Sequence, residues 1–267
     1  LARAGGEIKG TVLLRQQQYR AADDPGVSCR YGKGFLLGKV YNARWVLERA
    51  TRDHPQRVPV ETLKALSGQL AQALSRIEDA MTLEELRGIE GEAAQAYFCG
   101  FDFLILQQRE TFSFTKRTRR PPLDPVNALL SFAYTLLARD CATALEGVGL
   151  DPYVGFLHRP RPGRTSLALD LMEELRAVYA DRFVLTCINQ KTISPKHCVK
   201  QESQAVLLTD EGRRTFLRAW QLRKQQTIQH PFLGEKIPWG LVPYVQALLL
   251  ARTLRGDLDG YPPFFWK

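Results

Sequence analysis

The chain has 267 residues, 45% of them apolar, enough to bury a sizeable core in one large domain. Its formal net charge of +9 points to a polyanionic partner. The five cysteines are odd in number and scattered, with no CxxC pair. That spacing argues against a disulfide framework or a zinc knuckle and predicts a reducing, cytoplasmic compartment.

No signal peptide or membrane span is expected, because the most apolar late stretch, GLVPYVQALLLARTL, is short and broken by Pro243 and Arg252. The opening LARAGGEIKG starts on Leu1 rather than Met and reads as the interior of a longer protein. TVLLRQQQYRAAD then predicts a first helix, closed by DDPG. Gly32 and Gly34 predict a loop before a second helix, FLLGKVYNARWVLERATRD. In 61–80, Leu63, Leu66, Leu70 and Leu74 line one side of a third. Thr82 caps TLEELRGIEGEAAQAYF, with Glu85 at the capping-box position.

Residues 109–123 are basic, aromatic and Pro-ended, and predict a loop. Asp124–Pro125 starts a long helix that Gly147 and Gly149 terminate. A loop and helix follow in GFLHRPRPGRTSLALDLMEELR, and DRFVLTCIN reads as helix although its propensity also allows strand. Thr209, with Asp210 and Glu211 in the first turn, opens the next helix. A last one, near 240–255, precedes the aromatic tail YPPFFWK. The periodicity predicts a single, mostly α-helical domain, with no internal repeat and no glycine-rich phosphate loop.

Several residues fall outside what packing asks for. Glu90 lies in an apolar stripe with Leu83, Leu86, Ala94 and Tyr97, where an unpaired carboxylate costs several kcal/mol in rough terms. It is either salt-bridged to an arginine or serves as a metal ligand or general base. His158 adjoins Arg159, Arg161 and Arg164, guanidinium groups suited to phosphate oxygens. Asp170 and Glu173, at i and i+3 on the next helix, reach towards one point or form a solvated face. Imidazole and carboxylates from separate segments make a mixed N/O set for Mg²⁺ or Mn²⁺, the equipment of phosphodiester chemistry. Further basic groups lie in the loop 109–120 and at Arg213, Arg214, Arg218, Arg223 and Lys224. Phe112, Phe114 and the tail aromatics either stack on unpaired bases or pack inside. His197–Cys198 lacks suitably spaced companions for a metal site.

LRGIEGEAAQAYF, RRPPLDPVNALLSFAYTLL, VGFLHRPRPGRTSLALDLMEELR and the closing HPFLGEKIPWGLVPYVQALLLARTLRGDLDGYPPFFWK resemble the CRISPR-associated integrase family, the catalytic subunit of spacer acquisition. The similarity is to its type I-C branch and runs from about Gly10 to the C-terminus. The resemblance implies an all-α catalytic domain over 11–267, with 1–10 the trailing end of an N-terminal β domain that mediates dimerisation. It implies a metal site at Glu90, His158 and Glu173 holding Mg²⁺ or Mn²⁺, with Asp170 the competing candidate for the third ligand. The basic loops predict DNA held at Arg117, Arg119, Arg120, Arg159, Arg161 and Arg164, and the resemblance implies a prespacer 3′-OH joined to the CRISPR repeat by transesterification. The partners it implies are double-stranded DNA, a second copy of the chain, a small dimeric bridging subunit and, in many type I-C systems, an iron–sulfur nuclease that trims the prespacer. Two rivals stand beside it, a non-catalytic helical DNA-binding scaffold and a simple metal-dependent nuclease in which water attacks.

Overall fold

The computed structural model describes residues 11–266, so the expected β-domain remnant at 1–10 lies outside the described residues. The first helix, α1, is Val12–Asp23. Asp24 then accepts hydrogen bonds from the backbone N–H groups of Gly26 and Val27 at 2.8 and 3.0 Å, and with Pro25 in the first turn it launches α2, Pro25–Asp53. The loop expected at Gly32 and Gly34 is absent, and both lie inside α2. These glycines permit close packing. A Cβ at Gly32 would meet Leu83 at 3.3 Å, and one at Gly38 would lie 2.7 Å from the Cβ of Glu174.

Helix α3, Val60–Asp79, buries Leu63, Leu70, Ala73 and Ile77 against α2. Helix α4, Leu83–Phe101, begins with the expected reciprocal cap between Thr82 and Glu85. Helix α5, Pro125–Gly147, starts where Asp124 accepts from the Asn127 N–H at 2.8 Å. By length and composition α5 could cross a bilayer. Its face of Val126, Leu129, Leu130, Ala133 and Leu137 is buried here in the common core, and α5 packs on α6 and α9.

The centre of the fold is the run 166–189. It comprises α6 (Ser166–Leu175), a π-helical turn (Arg176–Asp181) and α7 (Arg182–Asn189), the last in the sequence whose propensity left helix and strand open. Nearly all of it is buried between α2 and α5. The Arg182 N–H reaches the Ala177 carbonyl five residues back, the π pattern. The turn accommodates Asp181, whose carboxylate accepts from the hydroxyls of Tyr97 at 3.1 Å and Tyr134 at 2.6 Å.

Helices α8 (Asp210–Gln225, capped by Thr209) and α9 (Val242–Arg255) complete the helical set. The fold is mainly helical, but it departs from the expected all-α class in two antiparallel hairpins. β1 (Cys198–Lys200) pairs with β2 (Val206–Leu208), and β3 (Thr227–Gln229) pairs with β4 (Lys236–Pro238). Three-residue strands are too short to show a period of two, so tertiary context decides them. Gln204 and Gly234, at φ of +64° and +70°, lie in their connecting turns.

After α9 the tail crosses α2. Asn42 donates to the carbonyls of Glu174 and Phe264 at 2.7 and 2.6 Å and accepts from the Trp266 N–H at 2.9 Å. Buried Glu174 accepts from the Phe264 N–H at 2.8 Å, from Gln246 at 3.0 Å and from the Tyr261 hydroxyl. Phe112, Phe114, Phe264 and Trp266 are all buried, which makes them packing rather than stacking platforms.

Candidate active site

Helices α4 and α6 and the loops before α5 and α6 meet at a cleft of about 600 Å³ whose walls include Glu90, His158, Glu173, Arg119, Arg161 and Arg164. Three separate segments therefore bring Glu90, His158 and Glu173 to one concavity. The Lys39 ammonium, from α2, joins two of these groups, lying 2.5 Å from Glu90 Oε1 and 2.7 Å from Glu173 Oε2. One cation thus bridges the two carboxylates. Glu173 is almost wholly buried, while Glu90 keeps a quarter of its side chain exposed to the cleft.

Arg176, one turn beyond Glu173, pairs with its Oε1 at 2.5 Å and places its guanidinium carbon 4.8 Å from the centre of the Tyr134 ring. Burial by itself would raise the pKa of Glu173. The charges of Arg176, then Lys39 and His158, outweigh it and hold the carboxyl down at about 2. Glu173 is therefore an anion at any physiological pH. Its Oε2 is buried and meets Lys39 as an ion pair without hydrogen-bond alignment.

His158 sits on the loop between α5 and α6, and Asp170 decides its orientation. One oxygen of Asp170 accepts from the N–H groups of Phe156 at 2.7 Å and Leu157 at 3.0 Å. The other takes the His158 N–H at 2.9 Å and lies 2.6 Å from His158 Nδ1. A carboxylate there keeps the proton on Nδ1 and leaves the Nε2 lone pair free. Asp170 is wholly buried and fully engaged, so of the two carboxylates it is Glu173 that opens on the cleft. Arg87 ties the loop to α4, donating to the Leu157 carbonyl at 2.9 Å and pairing with Glu84 at 2.9 Å.

The donor set fits a hard divalent ion. Metal–oxygen bonds of about 2.0–2.6 Å are close to the distances Lys39 already spans, and Glu173 Oε2 is a buried acceptor without an aligned donor. No trio of His, Cys, Asp or Glu donors among the described residues is already gathered at coordination spacing. The place between the carboxylates belongs to the ammonium, which an ion would have to displace.

The arginines divide. Arg119, Arg161 and Arg164 line the cleft and make no ion pair among the described residues. Arg159 lines it too, paired with Glu84 at 2.7 Å. Arg120 is exposed outside the cleft wall. Arg117 is turned inward, donating to Asn127 at 2.6 Å and Ser131 at 3.0 Å with its guanidinium over Tyr134, so it braces the loop. On α8, Lys224 is spent on Asp140 at 2.8 Å and Arg223 stacks on Trp239.

Sequence reasoning missed Lys39, Arg87 and Arg176. Lys39 had a usable signal: it lies between Leu36 and Ala43 on a buried helix face, the same anomaly that singles out Glu90. Arg176 and Arg87 carried none, because their roles depend on contacts with other segments.

Fold and cleft together define a helical enzyme domain with a bridged pair of carboxylates beside a basic cleft. A family model described as "CRISPR associated protein Cas1" matches residues 1–222. A relative from Rhodospirillum rubrum, "CRISPR-associated endonuclease Cas1 2", is 53% identical over 270 residues, covering all of this chain and 78% of that protein. Among solved structures, a casposase bound to integration product superposes with a TM-score of 0.82 at 23% identity, over 96% of this chain and 73% of the other. A Cas6-RT-Cas1–Cas2 complex gives 0.80 at 23% identity, over all of this chain and 28% of the other. The chain belongs to the Cas1 family of CRISPR-associated endonucleases.

Proposed function

We propose that this protein is a divalent-metal-dependent DNA integrase and endonuclease that joins a prespacer 3′-OH to a CRISPR repeat by transesterification. The observation that carries the reading is the meeting of Glu90 and Glu173 on one cation beside the cleft that His158 also lines. Glu90, His158 and Glu173 would hold Mg²⁺ or Mn²⁺. Once bound, the ion would supply Lewis-acid stabilisation of charge on the reacting oxygens.

The protein's own groups prepare that chemistry. Arg176 and Lys39 keep Glu173 ionised, so no proton has to leave before it can bind a cation. Asp170 orients the imidazole and fixes its tautomer. Arg119, Arg161 and Arg164 offer guanidinium groups to the phosphates on either side of the reacting one. The Lys39 side chain would stay beside the two carboxylates as a further donor.

Double-stranded DNA, a second copy of the chain and a small dimeric bridging subunit are the partners proposed. The solved neighbours described as bound to integration product and as a Cas1–Cas2 complex support the DNA and the bridging subunit. The type I-C assignment and an iron–sulfur trimming nuclease rest on sequence resemblance. One observation favours a second reading, a DNA-binding scaffold without catalysis: Lys39 already neutralises Glu90 and Glu173.

Strand transfer by the full-length protein with its bridging subunit, in Mn²⁺ or Mg²⁺, separates the two. His158→Ala and Glu90→Ala should each lower the rate by orders of magnitude and leave duplex binding nearly unchanged. Parent-level strand transfer by folded His158→Ala protein would leave the scaffold reading in possession.

A further inference from the structure

A second basic cleft, of about 420 Å³, opens between the C-terminal end of α2 and helix α7. Arg49, Asp53, His54, Arg57, Arg182 and Thr186 line it, and it shares no lining residue with the catalytic cleft. Arg182 follows the π turn directly, six positions beyond Arg176. Its guanidinium carbon stacks 4.3 Å from the centre of the Trp266 ring, and that of Arg49 lies 5.2 Å from the same ring.

Arg182 is half-buried, yet its guanidinium makes no hydrogen bond and no ion pair among the described residues. The nearby carboxylate, Asp53, is already taken by Arg49 at 3.0 Å and by Arg52 at 2.9 Å. Arg57 donates to the Leu106 carbonyl at 2.5 Å and keeps its charge. Burial first, then repulsion from Arg49 and Arg223, depresses the pKa of Arg182 to about 10. Such a group is held in place by stacking while its donors lack protein acceptors among the described residues. An oxyanion supplies both the acceptors and the missing charge.

We infer that this cleft is a second phosphate site, in which Arg182, Arg49 and Arg57 hold a backbone phosphate of double-stranded DNA outside the catalytic cleft. The phosphate chemistry stands on the cleft's own residues, and the choice of DNA rests on the function proposed above. The lining favours that choice over a free nucleotide, since among the described residues no Phe, Tyr or Trp ring lines the cleft to stack a base. Thr186 adds a hydroxyl donor at the rim.

The test is the salt dependence of binding to a fluorescein-labelled 30-base-pair duplex, which needs no catalysis and is independent of whether strand transfer is observed. Each phosphate contact contributes about 0.9 to the slope of log K against log[salt]. Arg182→Gln should lower the slope by about that amount and weaken binding several-fold, while Arg182→Lys retains the parent slope. Combination with Arg161→Gln, in the other cleft, should lower it by about 1.8. Arg57→Gln, at an exposed position, carries the same test should Arg182→Gln fail to fold. Parent slope and affinity in both folded variants would overturn the site. Calorimetric titration with ADP distinguishes the alternative source: ADP binding that Arg182→Gln abolishes, with the duplex slope unchanged, would overturn DNA as the occupant.

Discussion

Lys39 and Glu173 meet at 2.7 Å across the α2–α6 contact, and the same ammonium touches Glu90 from α4 at 2.5 Å. The lysine is largely buried and shares its place with the position a divalent ion would take between the same carboxylates. Binding of a metal there would be an exchange of one cation for another, with the ammonium holding the two anionic groups together.

Removing that cation gives the first prediction. In Lys39→Met, Glu90 and Glu173 face each other with only Arg176 to compensate. Breaking a buried pair costs about 3–5 kcal/mol, a drop in Tm of roughly 5–15 °C for a chain of this size. Mn²⁺ should restore much of the loss, and the metal-induced rise in Tm should exceed that of the parent. Thermal melts with and without Mn²⁺ decide it. A metal response no larger than the parent's would mean that the two carboxylates do not form a common cation site.

Asp170 and Glu173 carry the second. Asp170 accepts three backbone N–H groups and orients His158, whereas Glu173 faces the cleft. Asp170→Asn should lower stability by about 2–3 kcal/mol through weakened charge-assisted hydrogen bonds. Glu173→Gln should lower Mn²⁺ affinity and also cost about 3–5 kcal/mol of stability, because it leaves the largely buried Arg176 and Lys39 without their shared anion. Denaturant titrations paired with Mn²⁺ titrations read both. A larger loss of Mn²⁺ affinity in Asp170→Asn than in Glu173→Gln would make Asp170 the ligand.

Those two residues mark a boundary of what the sequence carries. Local signals were legible: the Thr82–Glu85 cap, the Asp124–Pro125 start and the Thr209 cap all stand, because a cap acts within one turn. Glu90 was legible as a carboxylate in an apolar stripe. At i and i+3, however, Asp170 and Glu173 project in similar directions, and the fold of 156–158 separates them. The glycines of α2 misled for a related reason. Gly32 answers to Leu83 and Leu86 on α4, and Gly34 to Tyr261 in the C-terminal tail, so their signature matched that of a loop. Arg117 read as one more basic loop residue because Asn127, Ser131 and Tyr134 turn it inward only in three dimensions.

The division among the arginines gives the third prediction. Arg119, Arg161 and Arg164 line the cleft without ion-pair partners among the described residues, so Arg119→Glu with Arg161→Glu should weaken duplex binding steeply at moderate salt. Arg117→Gln should act otherwise. Its loss should loosen the loop and lower stability by about 1–3 kcal/mol, with less effect on the salt slope. Anisotropy at several salt concentrations, beside thermal melts, separates the two effects. A larger slope change from Arg117→Gln than from the double reversal would refute the division.

Asp181 supplies the last prediction, one about pH. Burial raises its pKa to about 6, against the hydrogen bonds from Tyr134 and Tyr97 and the charge of Arg176, which lower it. The ordinary value is 3.8, so between about pH 4 and 6 the folded protein holds a proton that the unfolded chain has released. Stability from this group is therefore full below pH 4 and is lost as pH rises through 6. The loss amounts to about 2–3 kcal/mol, because each tenfold change in proton affinity is worth about 1.4 kcal/mol. Glu174, raised to about 7 by its own burial, slopes the same way, so the parent curve contains both. Asp181→Asn keeps an acceptor for the two tyrosine hydroxyls and removes the titration. The variant should therefore be more stable than the parent at pH 7, equal or weaker at pH 4, and flatter between. Urea titrations at pH 4, 5, 6 and 7 measure the difference curve. A difference that does not change with pH would show that Asp181 is ionised throughout and that the two hydroxyls, with Arg176, stabilise the carboxylate more than burial penalises it.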